Sequence, residues 1–203
     1  MARRTIRHSC WSRQLVSAFL ALLLLVAGVV PSPAREPAPE DAVKAAMLYN
    51  FVQFVRWPEA GALTGKPEPE LVLGILGRDS LQEWLLDLAA KSNRTGLFKT
   101  VQLDSLQELA AQKHKLQVLY IGRSAQQDMA AILNILNGVP VLTVCDDELF
   151  VKQGGMMNFV RHNSRIRFDL NLDAVAKSRL NLSSRLYGLA RLIVKDGRVE
   201  EGR

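Results

Sequence analysis

The stretch LVLGILGRDSLQEWLLDLAA, residues 71–90, decides the fold. Leu71 to Leu76 is a short apolar run, the mark of a strand buried on both faces. Gly77 and Arg78 turn the chain, and Asp79 or Ser80 caps a helix in which Leu81, Trp84, Leu85 and Leu88 share a face. The same order returns downstream. Leu116 to Ile121 (LQVLYI) is a strand, Gly122-Arg123-Ser124 a turn, and Met129, Ile132, Leu133 and Leu136 the inward stripe of a helix. A strand over Leu97 to Leu103 and a short helix over Asp104 to Lys113 lie between them, and Gly138 precedes a further strand over Pro140 to Cys145. Strands alternating with helices predict parallel crossover units in an α/β sheet.

Outward from this centre the pattern changes. On the N-terminal side, Glu40 to Arg56 reads as a helix with Val43, Met47, Phe51 and Phe54 on one stripe, ended by Trp57-Pro58; Gly61 to Pro69 reads as a loop. On the C-terminal side, Gly155 to His162 and Arg165 to Leu170 form a hairpin about Asn163-Ser164. A turn that tight sets Phe159 opposite Phe168 on the core face and Asn158 opposite Asp169 on the polar face, which Arg165 and Arg167 share. A helical turn over Asp173 to Lys177 and a final helix over Leu182 to Val194, capped by Asn181 and stopped by Gly197, complete the reading. The expected architecture is a single α/β domain, residues 41–197, with a mostly parallel sheet flanked by helices, a C-terminal β-hairpin and a closing helix.

Residues 1–34 read as a secretory signal peptide. Arg3, Arg4, Arg7 and Arg13 precede the apolar run Leu15 to Val30, and Ser32-Pro33-Ala34 supplies the small residues of a cleavage site. An uncleaved anchor is the alternative, although the run is short for a membrane span. Arg3-Arg4 also admits a twin-arginine signal. Residues 35–40 are a Pro-rich linker. The formal charge of +6 belongs largely to this leader: without it, 22 of the 26 basic residues face 20 acidic ones. Nucleic-acid binding therefore has no electrostatic support. The composition, 48% hydrophobic and 23% charged, excludes collagen-like and wholly disordered chains. Of the two cysteines, Cys10 leaves with the leader. Cys145 reads as a buried small hydrophobe in its strand, with an intermolecular disulfide as the alternative.

Catalytic patterns are scarce. Outside the leader only His114 and His162 remain, and neither has zinc-ligand spacing. There is no Gly-x-Ser-x-Gly elbow, phosphate-binding loop or dinucleotide fingerprint. Asp146-Asp147-Glu148 either holds a hard cation, supplies a general acid, or is a solvated turn. Arg78 and Arg123 each follow a parallel strand and precede a helix, at the sheet edge where α/β proteins bind ligands. They are candidates to hold a small anion there; the alternative is two solvated turn residues.

The stretch AAMLYNFVQFVRWP, residues 45–58, resembles the opening of the YfiR family. Four further segments are similar to family motifs in the same order: PVLTV from Pro140 with Asp146, GGMMNF from Gly154, RFDLN from Arg167 with Ala174, and LSSRL from Leu182. The resemblance covers residues 41 to 194. It implies a periplasmic, often dimeric α/β protein with no enzymatic activity and no cofactor. Such a protein represses an inner-membrane diguanylate cyclase by binding its periplasmic sensor region, and an outer-membrane lipoprotein can sequester it. Redox state and cell-wall-derived ligands are associated with some members. The small-ligand pocket implied by the resemblance falls at Asp169, Asn171, Asn181 and Ser183. With Cys145 alone this chain cannot form the intrachain bridges of disulfide-bearing members.

Tyr49, Phe51, Phe54 and Trp57 read as core or partner-contact residues, and the hairpin's polar face is a second candidate contact surface. Asn158, Asn171 and Ser183 also read as residues that satisfy backbone groups at element ends. A ligand-binding accessory protein of a sensor kinase or transporter is the competing reading, and it predicts a ligand at Arg78 and Arg123. An exported enzyme using Asp146 is the third.

Overall fold

A computed structural model describes residues 39–58, 71–92 and 98–202. The signal-peptide reading, most of the linker and the loop at 61–69 lie outside these residues. Among them no helix is long and apolar enough to cross a membrane.

The chain enters as α1 (Glu40–Phe51), so the last linker residue is already helical. A 3-10 turn (Val52–Phe54) and the two-residue strand β1 (Val55–Arg56) follow. The helix is thus shorter than its periodicity suggested. Val55 and Arg56 extend to pair with Leu182 and Asn181, because the backbone ahead of Pro58 is leaving the helical region. The buried line of α1 is Lys44, Ala45, Leu48 and Phe51, a face rotated from the expected stripe, with Val43 and Met47 at its margin.

The alternating core follows as read. It comprises β2 (Leu71–Leu76), α2 (Ser80–Ser92), β3 (Phe98–Leu103), α3 (Leu106–Gln112), β4 (Val118–Ile121), α4 (Met129–Ile135) and β5 (Leu142–Cys145). Asp79 Oδ1 accepts from Leu81 N at 3.0 Å and opens α2. Trp84 does not join the buried face of α2: Leu81, Leu85 and Ala89 form a line one residue wide against α1, and the indole falls outside it, 37% exposed.

The sheet continues through β6 (Met157–His162), β7 (Arg165–Asn171), β9 (Leu192–Lys195) and β10 (Arg198–Glu201), with α5 (Leu172–Lys177), β8 (Asn181–Leu182) and the one-turn α6 (Ser184–Tyr187) between β7 and β9. Its order is β10-β9-β7-β6-β5-β4-β2-β3, parallel except at the β6–β7 and β9–β10 hairpins. The register of the first hairpin is as read, with Phe159 opposite Phe168 and Asn158 opposite Asp169. Asn163 and Ser164 both take positive φ, as a tight two-residue turn demands.

The closing helix is the main correction. Only Ser184–Tyr187 is helical, and Leu192–Lys195 is a strand beside β7. The stripe Leu182, Leu186, Leu189 and Ile193 mimicked a helix. Leu189 is 55% exposed, however, and Gly188 follows the single turn. Leu192-Ile193-Val194 suits a pleat better than a helix, because β-branched side chains lose freedom against a preceding helical turn. Asp196 and Gly197 both take positive φ, so Gly197 turns a hairpin rather than stopping a helix, and the sheet runs on to Glu201.

Two apolar cores fill the two faces. Leu48, Phe51, Ile75, Leu81, Tyr120, Phe159 and Phe168 belong to the α1–α2 side; Leu109, Leu119, Ile121, Ile132 and Phe150 belong to the α3–α4 side. Phe51 and Phe168 tilt against each other with ring centroids 4.4 Å apart, which fastens α1 to the hairpin.

Candidate functional site

The parallel strands end at two turns held side by side. Gly122 N donates to Leu76 O at 2.8 Å, Arg78 N to Ser124 Oγ at 2.8 Å, and Ser124 N to Arg78 O at 3.4 Å. Asp79 closes the joint. Its Oδ2 accepts from the Tyr120 hydroxyl at 2.6 Å and from Arg123 N at 3.1 Å. Burial and that carboxylate raise the Tyr120 hydroxyl far above its ordinary pKa, so it stays a donor. Gly77, at φ +81°, leaves no room for a Cβ, which would stand 2.8 Å from Ala125 Cβ. The structure therefore brings Arg78 and Arg123 to neighbouring turns, both exposed. The backbone amides of both arginines are bonded within the joint, Arg78 N to Ser124 Oγ and Arg123 N to Asp79 Oδ2, which leaves their side chains to meet an anion.

The residues of the implied ligand pocket are dispersed. Asp169, 1% exposed, accepts from Arg191 Nε at 2.9 Å, Arg191 Nη2 at 2.5 Å and Asn158 Nδ2 at 3.3 Å. This pairing raises the pKa of Arg191 above its ordinary value, against a smaller lowering by burial. Asn171 Nδ2 donates to Val151 O at 2.7 Å, and its Oδ1 accepts from Ala174 N at 2.9 Å as the cap of α5. Asn158 Oδ1 accepts from Val151 N at 3.4 Å. The two asparagines thus hold one residue of the 146–156 segment, Val151, by its N–H and its carbonyl. The hairpin's polar face is buried at Asn158 and Asp169, because that segment folds back over it. Asn181 and Ser183 sit apart on and beside β8, where Ser183 N donates to Phe54 O at 2.9 Å and Ser183 Oγ accepts from Arg185 N at 3.4 Å. Asn171 alone of the four lines a cleft of ≈ 320 Å³, with Lys152, Thr143, Lys177 and Ser178 among its other walls.

Of the aromatic set, Phe51 lies in the core, while Tyr49, Phe54 and Trp57 are half-buried against it. Trp57 Nε1 donates to Gln117 O at 3.1 Å, so the indole caps the approach to β4.

The acidic trio serves a different end. Asp147 Oδ1 accepts from Leu149 N at 2.8 Å. Asp146 Oδ2 lies 2.8 Å from Lys44 Nζ, which also meets Glu40 at 2.7 Å. Burial pulls the Lys44 ammonium down, but its bonds to Asp146 and Glu40 outweigh that and its pKa ends up raised. No cluster that could hold a metal ion occurs among the described residues. The sequence reading missed Lys44, because it lies within the hydrophobic helix; its acids at i−4 and i−3 were the available signal. Cys145 is wholly buried, Gln126 Nε2 lies 3.3 Å from its sulfur, and burial pushes the thiol up to about 12.

These features define a small α/β protein whose polar groups are spent largely on joining its own elements. The chain matches the YfiR/HmsC-like family over residues 41–191 and belongs to it. Proteins of this family are periplasmic regulators associated with membrane-bound diguanylate cyclases. No curated protein matches the sequence. Among solved structures it is similar to the ABC domain in complex with L-Trp from Streptococcus pneumonia, with a TM-score of 0.53 and 10% identity, over 76% of this chain and 60% of that one. The chain thus spans about 60% of the length of that structure, and the likeness bears on the fold alone.

Proposed function

We propose that the chain is a non-enzymatic periplasmic repressor that binds the exported sensor region of an inner-membrane diguanylate cyclase and lowers cyclic di-GMP. The observation that carries this reading is the family match over residues 41–191, which takes in both apolar cores and every motif named above. The mechanism is a population shift: the repressor binds the inactive receptor state more tightly than the active one, and each tenfold preference is about 1.4 kcal/mol of bias. The half-buried aromatics at the end of α1, with exposed Arg56 and Asn181 on the β1–β8 pair, are the contact surface we assign to the partner. An outer-membrane lipoprotein competing for that surface would relieve repression, and a homodimer would present it twice.

Titration of the purified protein onto the membrane-embedded cyclase, with cyclic di-GMP synthesis as the readout, tests this. Saturable loss of activity supports the proposal. Unchanged synthesis at saturating protein contradicts it.

A second reading, an accessory protein that delivers a small ligand to a sensor kinase or transporter, is favoured by the ≈ 320 Å³ cleft beside Asn171. Mass spectrometry of small molecules released from the purified protein distinguishes the two.

A further inference from the structure

A second cleft, of ≈ 310 Å³, opens between the β6–β7 hairpin and the C-terminal β9–β10 pair. His162, Arg167, Arg191, Leu192, Glu201 and Gly202 line it. Its wall holds two arginines and one acid, Glu201, and Arg167 makes no ion pair with that acid. Arg167 Nε is buried and has no hydrogen-bond partner among the described residues, and the guanidinium makes no ion pair there. Buried donors are otherwise nearly always satisfied, and one left unmade is destabilising. The nearest internal acid on the same strand face cannot serve it. Asp169 already accepts two bonds from Arg191 and one from Asn158.

The cation is placed by the fold and not by chance of surface composition. Residues 165, 167 and 169 alternate onto one face of β7, and Arg167 stands opposite Val160 in the hairpin ladder. Val160 is itself buried, so the stem of Arg167 lies along an apolar floor while its head reaches the cleft. Arg191 stands in the same wall with its charge already paired to Asp169, so Arg167 supplies the free positive charge.

We propose that this cleft binds the oxyanion of a small organic acid, a carboxylate or phosphoryl group seated on the Arg167 fork with Arg191 beside it. A guanidinium presents parallel N–H groups that match either oxyanion, and a cleft of this size takes a small molecule rather than a polymer. The site is separate from the surface assigned to the cyclase, and the inference stands whether or not a cyclase is the partner.

Benzoate and phenyl phosphate are the probes, with benzyl alcohol as the neutral control, titrated into the purified protein by calorimetry. At least one anion binds saturably and the alcohol does not. Arg167→Met lowers the affinity at least tenfold, while an Arg78→Ala/Arg123→Ala double variant binds as the parent does. The melting temperature of Arg167→Met is unchanged or raised, because the substitution removes an unpaired donor. Should that variant fail to fold, Arg167→Lys keeps the charge without the fork and weakens binding several-fold. The preferred probe identifies the oxyanion. The proposal is overturned if neither anion binds at about 10 mM, a concentration that reveals even millimolar affinity. Equal binding by the Arg167 variants also overturns it, and leaves water as the partner of Nε.

Discussion

Asp169 and Arg191 show what one residue can decide. The carboxylate is buried and the guanidinium half-buried, with two bonds between them. Removing Arg191 strands a buried charge, so Arg191→Met is expected to cost about 3–5 kcal/mol in urea unfolding. The double variant Asp169→Asn/Arg191→Met recovers most of that loss, because neither charge remains. Cys145 makes a second prediction at this scale. With a thiol pushed up to about 12 and no exposed surface, it resists alkylation by iodoacetamide at pH 8 in the native protein and reacts once unfolded. Fast native labelling would contradict the buried reading and reopen the intermolecular disulfide. Of the Gly154-Gly155 pair only Gly154 takes positive φ. Gly155 is required because a Cβ would stand 2.3 Å from the buried Phe150 ring.

At the scale of elements, Lys44 ties α1 to the end of β5 through Asp146. Its pKa is raised above 10.5, so its contribution is fully present below that pH and is lost as pH rises through the folded value. Lys44→Met should cost about 1–3 kcal/mol at neutral pH, since both acids keep some access to water. It should also flatten the alkaline limb of stability against pH, measured by thermal melts from pH 7 to pH 11. The β9–β10 hairpin depends on Asp173, whose carboxylate accepts from Asp196 N and Gly197 N at 2.8 Å each. Those bonds, Gly197 first, hold the pKa of Asp173 below its ordinary 3.8, so the contribution is present above that value and lost as pH falls through the folded one. Asp173→Ala should speed amide exchange at Asp196 and Gly197 while leaving β2 and β4 protected.

These elements also show how far the sequence could be read. The LVLGIL and LQVLYI runs are buried on both faces between turns, and local pattern suffices for such strands. The Asn163-Ser164 hairpin was legible because a two-residue turn fixes register by itself. The last strands were not, because Leu182, Leu186, Leu189 and Ile193 satisfy a helical period by coincidence. The Asp196-Gly197 pair carried the contrary signal, since both residues take positive φ in the hairpin it makes. The site was less legible than the fold. Composition shows that Asp169 and Arg191 are charged, but only the β7–β9 pairing shows that they neutralise each other and leave Arg167 alone. The rotated face of α1 was hidden for a similar reason: Lys44 is inward because Asp146, a hundred residues on, receives it.

For the molecule as a whole, the eight-stranded sheet holds a regulator's two requirements in one body. Its parallel half is closed at the switch point by Asp79, Tyr120 and Ser124, which makes a rigid support. Its other half carries the two hairpins and the Arg167 cleft, the Asn171 cleft lies between α4 and α5, and the proposed partner surface lies on the separate two-stranded β1–β8 sheet. Binding that biases a receptor requires such rigidity, because a face that deforms to fit both receptor states discriminates neither.

The claim of repression is tested most directly by deleting the gene and measuring intracellular cyclic di-GMP by mass spectrometry beside a complemented strain. The account predicts a rise that complementation reverses. An unchanged level across several growth conditions would contradict it.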